Sequence, residues 1–159
     1  MKKLVETYRE QDGRKKQTSF CIVDAQSVKN TWTAREKGYD AGKKVSGIKR
    51  HIAVDTNGLI HAIEVTTANI TDREGAIQMC ERHTNTLDKV TNILCDGGYT
   101  GTSFAQSIKE TLDCSVEIIK RSELHKFVVL PKRWIVERTL ENSRQSCLLA
   151  SLSILLKRF

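Results

Sequence analysis

The chain has 159 residues, with 26 Lys and Arg against 19 Asp and Glu, a net charge of +7 and a pI near 9.3. This length predicts one domain whose core needs no disulfides, and five cysteines without a Cys-x-x-Cys motif argue against a disulfide framework. No apolar run in the sequence is long enough to span a bilayer, no signal peptide precedes the domain, and the basic balance favours a polyanionic partner such as DNA or RNA.

The first half of the chain predicts a polar segment, a strand, a loop and a hairpin. Residues 1–17 are polar and predict a linker or a short helix stub. The apolar run Phe20–Val23 predicts a buried strand that ends at Asp24. Residues 29–48 are rich in Lys and Gly and predict a loop, whereas the Asn-Gly pair at 57–58, between two apolar stretches, predicts a β-hairpin.

The second half predicts helices that alternate with strands. The predicted elements are a helix capped by Asp72, a strand over Val90–Cys95 that ends at Asp96, a helix through Phe104, Ile108 and Leu112, a strand over Val116–Ile119, and a helix starting near Lys132. Strand–helix–strand units require parallel pairing with right-handed crossovers. The sequence therefore predicts an α/β fold with a mixed sheet and helices packed on its faces.

Three carboxylates are candidate functional residues. Asp24 and Asp96 each follow an apolar run, and Glu137 lies on the last predicted helix, four residues after Arg133. Sites in open α/β sheets form at the carboxyl ends of strands, so Asp24 and Asp96 can meet there. Neighbouring carboxylates repel, and a divalent cation removes that penalty. Oxygen ligands suit Mg²⁺ or Mn²⁺, and two such ions support in-line phosphoryl transfer on a nucleic-acid backbone.

Each of these carboxylates also has an ordinary structural interpretation. Asp24 taken alone is typical of a turn or cap, and Glu137 taken alone is typical of an Arg–Glu pair on a solvated helix face. Asp55 borders the predicted tight turn and Asp72 suits a helix start, so both are interpreted as structural. The prediction of a site therefore depends on all three carboxylates together, two at the ends of predicted strands and one on the last predicted helix.

Five stretches of the sequence carry a family resemblance. They are IVDAQSVK, GYDAGKKVSGIKRHIAVDTNGL, TTANITDREGA, CDGGYTG and FVVLPKRWIVERT, which together cover about residues 20–140. In these stretches the chain resembles DDE transposases of small bacterial insertion sequences, which have a ribonuclease-H-like catalytic domain. The resemblance implies such a domain over residues 18–145, with Asp24, Asp96 and Glu137 as its catalytic and metal-binding triad.

The resemblance also implies cofactors, partners and a location. It implies two Mg²⁺ or Mn²⁺ ions, double-stranded DNA (element ends and target) as substrate, a homo-oligomer when active, no membrane association, and a bacterial cytoplasmic, nucleoid-associated location. Around Glu137, Arg133 matches the family signature, whereas Leu130 replaces its tyrosine and Arg144 its lysine. The candidate DNA-phosphate contacts are Arg133, Arg144, Lys43, Lys44, Lys49 and Arg50.

Two departures from the family pattern leave alternative functions open. Few residues precede Asp24, and the apolar tail over 146–159 is unlike the family, so we expect a chain truncated at its N-terminus and altered at its C-terminus. The main hypothesis is a metal-dependent transposase catalytic domain that cleaves DNA and transfers strands. One alternative is an inactive remnant that retains only DNA or subunit binding, and another is a different metal-dependent nuclease on the same sheet.

Overall fold

The computed structural model describes residues 2–30, 36–119, 135 and 138–141. The helices are α1 (Lys2–Gln11), α2 (Asp72–Arg82), α3 (Thr84–Leu87) and α4 (Thr102–Leu112), with a 3-10 turn at Gly97–Tyr99. The strands are β1 (Phe20–Lys29), β2 (Gly38–Asp40), β3 (Val45–Val54), β4 (Ile60–Thr67), β5 (Asn92–Asp96) and β6 (Ser115–Ile119). Residues 135 and 138–141 are also helical. Within these ranges, no helix has the length and apolarity needed to cross a bilayer.

A curled mixed sheet of six strands organises the described residues. Its strand order is β2-β3-β1-β5-β6, and β4 also pairs with β3. The β1–β3 and β3–β4 pairs are antiparallel, whereas β1, β5 and β6 run parallel to one another. The fold is therefore mixed α/β and consistent with a ribonuclease-H-like domain, which confirms the predicted fold class.

Two predicted boundaries in the first half of the chain are wrong. β1 does not end at Asp24 but continues to Lys29, because residues 22–29 pair with residues 47–54 of β3. Part of the predicted loop over 29–48 is sheet, since it contains β2 and the start of β3. In both places antiparallel backbone pairing stabilises extended structure in a polar sequence without an apolar run.

The predicted hairpin and the later elements are present, with one change in capping. β3 and β4 are joined by a turn in which Gly58 adopts φ +82°, a conformation that favours glycine. The N-cap of α2 is Thr71 and not Asp72, because the Thr71 side chain accepts a hydrogen bond from the Glu74 amide at 3.1 Å. The predicted helix start near Lys132 lies outside the described residues.

The sheet has two faces with different coverings. The helical face packs under α2 and α4, and its buried cluster includes Val23, Ala53, Met79, Phe104 and Ile108. The opposite face, called the carboxylate face below, buries Ile22, Ile52, Val54 and Leu94 together with Ile135 and Leu140. Because side chains alternate along a strand, every second residue of β1, β3 and β5 belongs to the carboxylate face.

Candidate active site

Asp24 and Asp96 lie at equivalent positions on adjacent parallel strands. In the β1–β5 pair, the last partners are Ile22 and Leu94, and each aspartate follows its strand's partner by two residues. Because paired strands lie about 4.8 Å apart, we infer that the two side chains are close to each other. Asp24 and Asp96 stand two residues after Ile22 and Leu94, and residues two apart on a strand share a face. Both aspartates therefore belong to the carboxylate face. Two residues 72 positions apart are thus brought together by strand pairing.

Local hydrogen bonds orient both carboxylates. Asp24 Oδ1 accepts from the amide of Ala25 at 2.7 Å, and Asp96 Oδ1 accepts from the amide of Gly98 at 2.9 Å. The second bond makes Asp96 the cap of the 3-10 turn that follows β5. Both residues are half-buried, so each carboxylate has a fixed direction and remains accessible to a ligand.

The buried phenol of Tyr99 is affected by several carboxylates. Tyr99 is 1% exposed, and its hydroxyl has no hydrogen-bond partner within the described residues. Burial raises the pKa of Tyr99 well above its ordinary value, and the negative charges of Asp24, Asp72 and Asp96 raise it further. Carboxylates from three separate elements therefore act on one side chain at this end of the sheet.

The donor set suits a hard divalent cation, although the described residues hold only part of it. Two adjacent carboxylates on a half-buried surface repel each other, and a bound cation would relieve that repulsion. Across residues 2–30, 36–119, 135 and 138–141, no three His, Cys, Asp or Glu side chains form a group that could hold a metal ion. Glu137, the third predicted ligand, lies outside these residues, as do Arg133 and Arg144.

Arg50 is the basic candidate that lies on the carboxylate face. It pairs in register with Gln26, the next residue after Asp24 on the same face, and its Nη2 donates to Gln26 Oε1. Its Nε is buried and has no hydrogen-bond partner among the described residues. A guanidinium has five N–H donors, so Arg50 stays a candidate contact for a phosphate oxygen. The alternation of polar residues in VDAQSVK, which continues past Asp24, was the signal that could have identified Gln26.

Lys49 lies on the opposite face from Arg50 and is occupied by ion pairs. Its side chain is 5% exposed, and its Nζ lies 2.8 Å from Asp72 Oδ1 and 3.1 Å from Asp40 Oδ2. It also donates to the Ile70 carbonyl at 2.7 Å. Burial lowers the pKa of Lys49, but these two carboxylates raise it by more, so the ammonium stays charged. We assign Lys49 a structural role, which sequence reasoning missed.

Lys43 and Lys44 lie at the tip of the β2–β3 hairpin and are exposed. Lys43 Nζ contacts Asp72 Oδ2 at 3.0 Å and the Ala25 carbonyl at 3.2 Å. Lys44 adopts φ +53° in the turn. Both residues are therefore exposed at the hairpin tip, and Lys43 also reaches Ala25, the β1 residue that follows Asp24.

A family model described as a transposase DDE domain matches residues 15–155. The chain belongs to the DDE transposase family. A search of curated protein sequences found no significant match. Transposases of this family act on DNA by phosphoryl transfer and generally use divalent metal ions.

Proposed function

We propose that this transposase domain catalyses metal-dependent DNA cleavage and strand transfer in the movement of a bacterial insertion sequence. The observation that supports the proposal is the parallel pairing of Ile22 with Leu94, because Asp24 and Asp96 each follow this pair by two residues on the same face. Glu137 is proposed as the third ligand, since its neighbours Ile135 and Leu140 pack on that face against the cluster of Ile22 and Leu94.

Asp24, Asp96 and Glu137 would hold Mg²⁺ or Mn²⁺, as one or two ions. When bound, such ions activate an attacking oxygen and stabilise a leaving oxygen at phosphorus. In the first step water attacks a phosphodiester and releases a strand with a 3′-hydroxyl. In the second step that hydroxyl attacks a phosphodiester of target DNA, so one bond forms as another breaks.

The chain's basic side chains would position the DNA backbone. Arg50 is placed to donate to a phosphate from the carboxylate face, and Lys43 and Lys44 extend the basic surface at the hairpin tip. Arg133 and Arg144 complete the proposed contacts, whereas Lys49 is left out because its ammonium is buried in ion pairs. A homo-oligomer is proposed for the active form, since two element ends must be processed together.

A plasmid cleavage assay tests this function. The substrate is a plasmid that carries the gene with its native flanking DNA, incubated with the full chain and Mg²⁺. We expect wild-type nicking at the element ends followed by joining, and a loss of about a thousand-fold or more in Asp96→Asn. The matched control is Asp88→Asn, an exposed aspartate beside Lys89 that lies away from the site.

The assay also separates the rival functions. Hydrolysis without joining would indicate a nuclease instead of a transposase. Salt-sensitive DNA retention without any nicking would indicate a remnant that only binds DNA. Equal activity of wild type and Asp96→Asn would remove Asp96 from the mechanism and contradict the proposal.

A further inference from the structure

The β3–β4 turn is built around one wholly buried carboxylate. Asp55 is 0% exposed, and its Oδ1 accepts hydrogen bonds from the amides of Asn57 at 2.8 Å and Leu59 at 3.1 Å. The turn is closed by a backbone bond of 3.0 Å from the Asp55 amide to the Leu59 carbonyl. A turn with this many internal bonds has one preferred geometry.

The second oxygen of Asp55 ties the turn to the N-terminal helix α1. Arg9, which is 4% exposed, pairs with Asp55 Oδ2, and Arg9 Nε donates to the Lys15 carbonyl at 2.8 Å. His61 Nε2 lies 3.4 Å and Arg14 Nη1 3.8 Å from the same oxygen. The turn is therefore anchored on one side by a buried polar network.

On its other side the turn contacts the helical residues that flank Glu137. Thr139 Oγ1 lies 3.0 Å from the Gly58 carbonyl and 2.9 Å from the Ile135 carbonyl, and its one proton is shared between these two acceptors. A Cβ added at Gly58 would lie 2.7 Å from Thr139 Oγ1 and 3.5 Å from Ile135 Cγ2. Ile135 and Thr139 stand two residues before and two residues after Glu137 in the sequence.

These two kinds of contact constrain the helical residues differently. Ile135 and Leu140 pack against Ile22 and Leu94, the residues two positions before Asp24 and Asp96. Such packing is non-directional and tolerates a small slide along the sheet. The bond from Thr139 to the turn is directional and sets the position along the sheet.

We propose that the β3–β4 turn is a positioning element that sets the residues around Glu137 against the Asp24–Asp96 pair. Asp55, Gly58 and Thr139 are its positioning residues. This inference rests on the proposed function, because it assigns the turn a role in completing the metal site. Residues that orient metal ligands are commonly needed for full metal affinity.

A pair of glycine substitutions tests the inference. Gly58 and Gly13 both have positive φ, +82° and +71°, so alanine strains the backbone at each. At Gly13 a Cβ would meet nothing within 4 Å, whereas at Gly58 it would meet Thr139. We expect Gly58→Ala to raise the Kd for Mn²⁺, measured by calorimetry below the unfolding transition, by about 10-fold to 100-fold. Gly13→Ala should leave the Kd for Mn²⁺ within about two-fold of wild type.

Two substitutions at Thr139 test the inference if Gly58→Ala does not fold. Thr139→Val removes the donor at nearly constant volume and should also weaken Mn²⁺ binding, whereas Thr139→Ser keeps the donor and should restore it. Hydrogen exchange of a peptide covering 135–141, measured without metal, should be faster in Gly58→Ala and Thr139→Val only. Unchanged exchange in both variants would overturn the inference.

The outcomes distinguish this inference from the function beneath it. If wild type binds Mn²⁺, Asp96→Asn does not, and both turn variants bind like wild type, then the positioning role is wrong and the metal site stands. If wild type and Asp96→Asn show the same lack of Mn²⁺ binding, the proposed function fails and the inference fails with it.

Discussion

The two faces of the sheet share the same strands but are built for different purposes. Among the described residues, fifteen buried side chains form the cluster of the helical face, against six on the carboxylate face. On the helical face a charge such as Lys49 is buried only with its counterions. On the carboxylate face Asp24 and Asp96 stay half-buried and close to each other. We propose that the helical face mainly supplies stability and that the carboxylate face carries the proposed chemistry, and substitutions can test that division.

The sharpest test uses two neighbouring basic residues on opposite faces. Lys49→Met should lower the free energy of unfolding by about 3 kcal/mol, because it leaves Asp40 and Asp72 without their buried cation. Arg50→Met should lower it by about 1 kcal/mol, since it loses the hydrogen bond to Gln26. Urea unfolding measures both values.

DNA binding should rank the same two variants in the opposite order. Arg50→Met should weaken binding to duplex DNA and reduce the slope of log K against log salt by about 1, as expected for one lost phosphate contact. Lys49→Met should bind like wild type at a temperature where both are folded. Fluorescence anisotropy measures DNA affinity. If both variants lose the same affinity for DNA, Lys49 contacts DNA as well as Arg50.

Packing of α2 on the helical face provides the next largest effect. An added Cβ at Gly75 would overlap the wholly buried ring of His51. Alanine at Gly75 should gain about 1 kcal/mol of helix propensity but lose more through overpacking, for a net loss of about 2 kcal/mol. Thermal and urea unfolding measure the difference.

Gly42→Ala is the matched control, because its Cβ would meet Asp40 Oδ1 at an ordinary 3.5 Å. We expect its stability to stay within about 0.5 kcal/mol of wild type. If Gly75→Ala is more stable than wild type, the packing between α2 and the sheet can rearrange at little cost. The helical face would then not be rigidly packed.

Sequence patterns were sufficient for the parts of this fold that local chemistry determines. The Asn-Gly hairpin, the helix through Phe104 and the strand before Asp96 were all predicted, because turn residues and apolar spacing specify them. The prediction that Asp24 and Asp96 lie close together depended on the expected parallel sheet, and the parallel pairing of β1 with β5 is present. That step required topology as well as local pattern.

The features that the sequence missed depend on tertiary contacts. The second half of β1 is polar, and only its pairing with β3 makes it a strand. Lys49 and Arg50 are chemically alike and adjacent, so both were predicted to bind DNA. Only the strand register places Lys49 on one face and Arg50 on the other. Asp55 was predicted to be structural, but its ion pair with Arg9 joins residues 46 positions apart. No local sequence pattern predicts such a contact.

Acidification should destabilise the helical face through His51. The pKa of its buried ring falls from 6.5 to about 4, chiefly because burial disfavours the charged form, and Asp72 only partly offsets this. The unfolded chain therefore binds the proton more readily, so the stability from the neutral ring is present above pH 6.5 and is lost as pH falls toward 4. Between about pH 7.5 and 5.5 we expect a loss of about 1 kcal/mol from this residue.

His51→Gln tests the assignment to that residue. The variant retains His61 and His83, so their contributions cancel in the comparison. The slope of unfolding free energy against pH should be smaller in His51→Gln than in wild type over this range. An identical slope would show that the proton is taken up elsewhere.

The smallest effect on stability is expected at the carboxylates themselves. Asp24→Asn and Asp96→Asn each keep an oxygen that can accept the bond from Ala25 or Gly98, and each removes one of two repelling charges. Without metal, the free energy of unfolding should therefore change by less than about 0.5 kcal/mol, or rise slightly. With Mn²⁺ added, wild type should gain stability because the ion binds the folded state, and the variants should gain less. A large loss of stability in either metal-free variant would mean that the aspartate supports the fold. The proposed division of roles between the two faces would then be wrong.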